Sequence, residues 1–211
     1  MGTASTRKAA KKQVSADVRR ERLVAAALRV MKRDGIAAAT TRAICAEADM
    51  PHGAFHYCFR SKQELYAALL STDINLTLDA AWPAVVPAAD PAESIRALFR
   101  TYWAAVQEDP ETQLVLTELV HLALREPELS ELPAWEHRAY HDKVVSHLER
   151  FMDEAQLELT VATRVLAEMV ISALSGVVSS WLSHRDSAVA MEALDHFAAL
   201  FATLTRPRRS A

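Results

Sequence analysis

Glycine is scarce, with four residues among 211. Gly2, Gly35, Gly53 and Gly176 stand far apart, so no glycine-rich phosphate loop can be assembled from them. Cysteine is scarcer still. Cys45 and Cys58 are too few for a disulfide framework or a zinc ribbon, and they suit a reducing compartment. Both read as small helix-packing residues. No Gly-x-Ser-x-Gly elbow and no His-Glu-x-x-His motif occurs, which removes two common hydrolase signatures. Few segments alternate with period two, so β-structure has little support. The first residues lack the apolar core of a signal peptide. The only long apolar run, 165–182, contains Glu168, several serines and Gly176 and is flanked by Arg164, His184 and Arg185. Membrane spans rarely carry that pattern, so a helix buried against protein is expected, with the cytoplasm as location.

What the chain does have is alanine and an apolar content of 51%, enough for a globular core. The expected class is all-α. Charge is divided unevenly. Residues 1–62 hold 13 Lys and Arg against 5 Asp and Glu, a net +8. Residues 63–211 hold 11 against 22, a net −11. A basic front and an acidic rear point to a polyanion-binding segment joined to a domain with another task.

Residues 1–15 read as a basic arm without helical period. Ser15 or Asp17 can cap a first helix to about Arg33, with Leu23, Ala26, Ala27, Val30 and Met31 inward and Gly35 ending it. Thr40 can cap a second helix carrying Ile44 and Cys45. A third is expected from near Pro51, where a first helical turn tolerates proline, to Phe59. Ser61 with Glu64 forms a capping-box signature for a fourth. Trp82 to Pro91 is a proline-rich break. Further helices are expected over about 92–108, 111–125, 134–154, 158–184 and 187–205, followed by a frayed tail, 206–211. The domain reading is therefore an arm (1–15), a three-helix head (16–62) and a body of about six helices (63–205).

The segment 41–62 is the most telling. Ile44 and Ala48, then Phe55 and Phe59, lie at i, i+4 on either side of the Asp49-Met50-Pro51 interruption. Two short helices joined by a tight turn suit DNA, because the second can enter the major groove.

This head resembles the tetracycline-repressor (TetR) family of bacterial regulators. The resemblance rests on Gly35, Thr40-Thr41, Ile44-Cys45, Ala48-Asp49-Met50, His52-Gly53-Ala54-Phe55, His56-Tyr57, Phe59, Ser61-Lys62 and Leu65, in the family's order and spacing over about 45 residues. Asp49 stands where the family has a turn glycine; Asp tolerates left-handed backbone better than most residues. His56-Tyr57 departs from the family's usual aromatic order, so the phosphate contact falls to one or the other.

The resemblance implies a sequence-specific DNA-binding regulator, a repressor released from a palindromic operator by a small molecule. It makes Thr41, Tyr57 and Lys62 phosphate candidates. It sets His52, Gly53, Ala54 and His56 at base edges, with Ala54 suited to a thymine methyl. It implies a homodimer, which the last two helices would form, since their small and apolar residues permit close approach. It also implies a pocket in the body for a small, mostly apolar effector. Phe99, Trp103, Leu116, Val120, His121, Trp135, Tyr140, Val144 and Trp181 are the lining candidates. No cofactor and no metal is expected. His137 and His141 have metal-pair spacing but no third ligand in sequence. Two other readings compete: a helical protein–protein adaptor, which leaves the basic head unexplained, and a non-specific DNA binder. An enzyme would have only the i, i+3 pair Glu118 and His121 behind it.

Overall fold

The computed structural model describes residues 15–81 and 90–208, without the side chains of 73–81. The basic arm up to residue 14 and most of the proline break lie outside the described residues. The chain divides into two compact units, Met1–Leu65 and Tyr66–Ala211.

In the first unit, α1 (Ala16–Asp34) begins where the Ser15 hydroxyl accepts the Val18 amide at 3.2 Å. It stops at Gly35, whose φ of 84° disfavours any side chain. Its buried stripe is Leu23, Ala26, Ala27, Val30 and Met31. Across it lies α2 (Thr41–Glu47), capped by Thr40 through the Ala43 amide at 3.1 Å. Glu47 on α2 pairs with Arg29 (2.8 Å) and Arg33 (3.0 Å) on α1. The end of α2 is a Schellman closure: the Met50 amide donates to the Cys45 carbonyl and the Asp49 amide to the Ala46 carbonyl. Asp49 sits at φ 55°, so aspartate holds the left-handed position that glycine would fill.

The next helix, α3 (Ala54–Cys58), is shorter than the sequence suggests. Pro51 precedes it by three residues, in a turn closed by the Ala54 amide on the Pro51 carbonyl at 2.8 Å. His52 and Gly53 therefore lie in the entering turn rather than on the helix itself. Helix α4 (Lys62–Ala81) starts at a modified capping box. Ser61 accepts the Glu64 amide, but the Glu64 carboxylate reaches back to the Arg60 amide, at 2.8 Å, one residue earlier than the usual reciprocal partner.

The second unit contains α5 (Pro91–Glu108), α6 (Pro110–Ala123), α7 (Leu132–Glu154), α8 (Thr163–His184) and α9 (Ser187–Ala202). Asp90, Asp109 and Asp186 cap α5, α6 and α9 through their carboxylates. The main seam joins α5 to α9, where Arg100 meets Asp195 at 2.8 Å. Its core holds Phe99 and Trp103 of α5 against Leu174, Trp181, Leu194 and Phe201. Each fully buried side chain of this size contributes about 1.5–3 kcal/mol.

The all-α reading holds with one local exception. The sequence reading starts the eighth helix at about residue 158 and lets the chain fray beyond 205. Instead β1 (Leu157–Leu159) pairs antiparallel with β2 (Thr205–Pro207), Glu158 opposite Arg206. The cause is local chemistry. Gln156 adopts φ 54° and turns the chain out of α7, and Arg206 and Arg208 then pair with Glu158 and Asp153. Helix α8 consequently begins five residues late.

Candidate functional site

The first unit gathers its exposed polar groups around α3. Phe55 and Phe59, one turn apart, are each 1% exposed and pack ring to ring at 5.6 Å. Tyr57 lies two residues from each, about 200° around the helix, and is 92% exposed. His52, Gly53 and His56 are also exposed, with the two imidazoles edge to face at 6.1 Å, and Ala54 is half-buried. Thr41 opens α2 half-buried and Lys62 opens α4 exposed. Each of the seven head candidates thus presents surface.

Sequence reasoning passed over two cations. Arg42 is exposed beside Thr41, and Arg60 is exposed two residues before Lys62. Their signal was available: a basic residue at the start of a helix already bearing a phosphate candidate. Arg42 and Lys62 have no ion-pair partner among the described residues.

A five-residue helix has no stability of its own and must be held by neighbours. Arg20 of α1 provides one tie. Its guanidinium donates to the Cys58 carbonyl at 2.7 Å and to the Glu64 carboxylate at 2.8 Å, and lies 4.2 Å above the Phe59 ring. The Arg60 amide and the Arg20 guanidinium together hold the Glu64 carboxyl below the usual range. Glu47 is lowered too, by Arg29 and then Arg33. Cys45 is buried and its thiol donates to the His52 carbonyl at 3.4 Å, fixing the entering turn.

Gly53 is of a different kind. Its φ of −62° suits any residue, and a Cβ there would meet nothing within 4 Å. Nothing in the folded unit requires glycine at this exposed position.

The second unit contains two cavities that divide the lining candidates. The larger, about 440 Å³, lies among α4 to α8 and is lined by Leu116, Val120, His121 and Tyr140 of the expected set. Tyr102, Thr117, Glu136, His137 and Ser175 join them. The smaller, about 60 Å³, takes Phe99 and Val144, with Leu98, Phe151, Leu166 and Phe201. Trp103, Trp135 and Trp181 line neither. Trp103 and Trp181 are instead core: their rings meet edge to face at 5.1 Å, and the Trp181 indole N–H donates to the Ser187 hydroxyl at 3.0 Å. Aromatic residues at helical spacing look alike in sequence whether they line a cavity or fill it.

His137 and His141 stand on one face of α7, rings 6.1 Å apart, but turn to separate partners. His137 meets the Glu168 carboxylate at 3.1 Å, and His141 donates to the Arg164 carbonyl at 3.0 Å. Glu118 is exposed and lines neither cavity, apart from His121.

A third hollow, about 220 Å³, opens along the outer side of α8 and α9, between Ala173, Gly176, Val177, Val189 and Phe197. Val165, Met169, Val189 and Leu200 are exposed on these two helices. Helix α8 is long and apolar enough to cross a membrane by composition, yet it packs against α6, α7 and α9. Its buried residues, among them Leu166, Val170, Leu174, Val178 and Trp181, follow one face, so the expectation of burial on most sides is met on one side alone. A Cβ at Gly176 would also meet nothing within 4 Å.

Residues 23–69 match the family described as "Bacterial regulatory proteins, tetR family". The nicotine-responsive transcriptional repressor HdnoR of Paenarthrobacter nicotinovorans is 31% identical over 168 residues, 78% of this chain and 84% of that protein. A tetR-family transcriptional regulator structure from Mesorhizobium loti superposes with a TM-score of 0.71 at 14% identity, over 90% of this chain and 98% of its own. The multidrug binding protein EbrR, solved with imidazole, is 27% identical with a TM-score of 0.60, over 84% and 88% of the two chains.

Proposed function

Because this chain belongs to the tetR family of bacterial regulatory proteins, and so is a DNA-binding transcriptional regulator, we propose that it is a homodimeric repressor released from a near-palindromic operator by a small organic effector. The observation that carries the DNA part is the division of α3 into a sealed and an open side. Phe55 and Phe59 anchor the helix, while Tyr57, His56, His52 and Gly53 face solvent.

In this reading Thr41, Tyr57 and Lys62 contact phosphate, joined by Arg42, and set register. His52, Ala54 and His56 meet base edges. Gly53 lets the backbone come close to the duplex, which accounts for a glycine the fold does not need. One such head covers too little sequence for tight specific binding, and a two-fold dimer reading two half-sites resolves this. The exposed apolar side of α8 and α9, whose hollow Gly176 lines as it also lines the larger cavity, supports these helices as the seam. The working location is the cytoplasm, where the chromosome is accessible.

The larger cavity serves as the effector site, being within the size range of organic-ligand pockets. HdnoR is described as nicotine-responsive and EbrR as multidrug binding, which supports a small organic effector here. Binding shifts the regulator only through a difference in effector affinity between its operator-bound and free states.

A footprint and binding titration on the DNA flanking the protein's own gene tests the reading. A protected near-palindrome, bound as a dimer against excess unrelated DNA, is expected. Equal binding to all DNA would instead favour the non-specific binder.

A further inference from the structure

We infer that the effector carries a protonated amine, an organic cation with an apolar body, seated in the larger cavity with its charge toward Glu136. The inference rests on the reading of that cavity as the effector site.

The argument starts from charge. Among the described lining residues there is one carboxylate, Glu136, and no Lys or Arg; the basic groups are two imidazoles, His121 and His137, the second already facing the Glu168 carboxylate. The sequence from Gln63 to Ile95, which supplies α4 and the approach to α5, contains no Lys or Arg either. No guanidinium or ammonium from that stretch can answer a ligand anion. Glu168, outside the lining, holds the His137 imidazole at 3.1 Å, so that ring is already matched to a carboxylate. The site sits in a part of the chain that carries a net −11. A ligand carboxylate or phosphate entering here would meet like charge in a partly desolvated space, an arrangement that costs far more than in water. A cation meets the opposite.

Shape and surface chemistry agree. Tyr102 and Tyr140 line the cavity, and tyrosine rings attract ammonium groups within about 6 Å of the centroid. Thr117 and Ser175 offer hydroxyls that accept from an N–H donor. Leu116, Val120 and Ile171 supply the apolar side for the ligand body. The smaller cavity lacks this character: its described lining has no carboxylate. Selectivity by charge therefore belongs to one cavity and not to the other.

The test uses the full chain and three probes that share one body: phenylbutylamine, phenylbutanol and phenylbutanoate. Calorimetric titration is expected to rank the amine first, about tenfold tighter than the alcohol, with the carboxylate weakest. Glu136→Gln should erase the amine's advantage over the alcohol. Tyr140→Leu, a second variant on the same helix, should weaken the amine more than the alcohol. Circular dichroism confirms that each variant is folded.

If alcohol or carboxylate binds as tightly as the amine, or the advantage survives Glu136→Gln, the charge assignment is overturned while the cavity stands as an effector site. If none of the three binds at millimolar concentration, the assignment falls together with the cavity's role.

Discussion

The two units of this molecule are specified by different means. The head is held by discrete polar devices: a serine cap, a threonine cap, a Schellman turn with Asp49 at its left-handed position, and the Arg20–Glu64 tie. Each occupies a fixed place in the sequence and each fixes a backbone direction. The body has caps too, but what decides its interior is how large apolar side chains share space. The same Phe or Trp can fill a core, line a cavity or cover a seam. A surface that must present a few side chains to a rigid partner benefits from the first strategy. A chamber for a small molecule tolerates the second.

The largest expected effect contrasts the two interiors. Phe55→Ala in the head and Trp103→Ala in the body each remove a fully buried aromatic, and each should cost about 3–5 kcal/mol. The four tryptophans, Trp82, Trp103, Trp135 and Trp181, all lie in the second unit, so their emission reports that unit alone. In Phe55→Ala, denaturant unfolding followed by circular dichroism should show early loss of helix while the tryptophan transition moves less. Coincident early transitions would mean that the units unfold as one. Operator binding should be lost in Phe55→Ala under either outcome.

DNA binding provides the next contrast, inside the head. Lys62→Ala should weaken binding to all sequences by a similar factor and reduce the salt slope by about one. Replacing His52 or Ala54 should alter the preference among operator variants, with mismatch effects of about 1–3 kcal/mol. Filter-binding or anisotropy titrations over a range of salt separate the two. If operator binding is intact in both, the assignment of this face is wrong.

Acid should act on the head. Two carboxyls of the head, Glu47 and Glu64, are held below their ordinary range by the arginines and the backbone amide beside them. A lowered folded-state pKa contributes stability above the unfolded value, about 4.3 for glutamate, and that contribution is lost as pH falls through the folded value. Both carboxylates are partly exposed surface groups, so the effect is modest. Melting between pH 6 and about pH 3 should show the head's transition falling as Glu47 and Glu64 protonate, and Glu47→Gln with Glu64→Gln should flatten that fall.

Much of the head was legible in sequence because its signals are local. Ser15, Gly35, Thr40 and Ser61 announce their roles within four residues of where they act. The start of α3 was not, since Pro51 is compatible with a first helical turn and only the turn closed on its carbonyl excludes it. The strand pair β1–β2 was illegible for another reason: its partners are almost fifty residues apart, and three-residue strands carry too little alternation to register. The body's helices followed from periodicity and proline, but the assignment of its aromatics to two cavities and a core did not. Leu116, Val120, His121 and Tyr140 converge in one chamber, and Phe99 and Val144 in another, only through the angles at which their helices cross.

The smallest effect on the fold gives the sharpest separation of fold from function. Gly53 and Gly176 both have helical neighbours, acceptable backbone and empty space where a Cβ would go. Alanine at Gly176, inside α8, should raise the stability of the isolated fold by about 0.5–1 kcal/mol, since glycine is the poorer helix former, whereas alanine at Gly53, the residue before α3, should leave it within about 1 kcal/mol of its present value. If the two open sites exist for approach by a partner, the losses appear elsewhere and do not overlap. Gly53→Ala should weaken operator binding with the dimer intact. Gly176→Leu should shift the chain toward monomer in sedimentation, with the head's melting unchanged. A Gly53→Ala protein that binds operator at full strength would mean that the backbone there does not approach DNA. A Gly176→Leu protein that remains dimeric would move the seam away from the centre of α8.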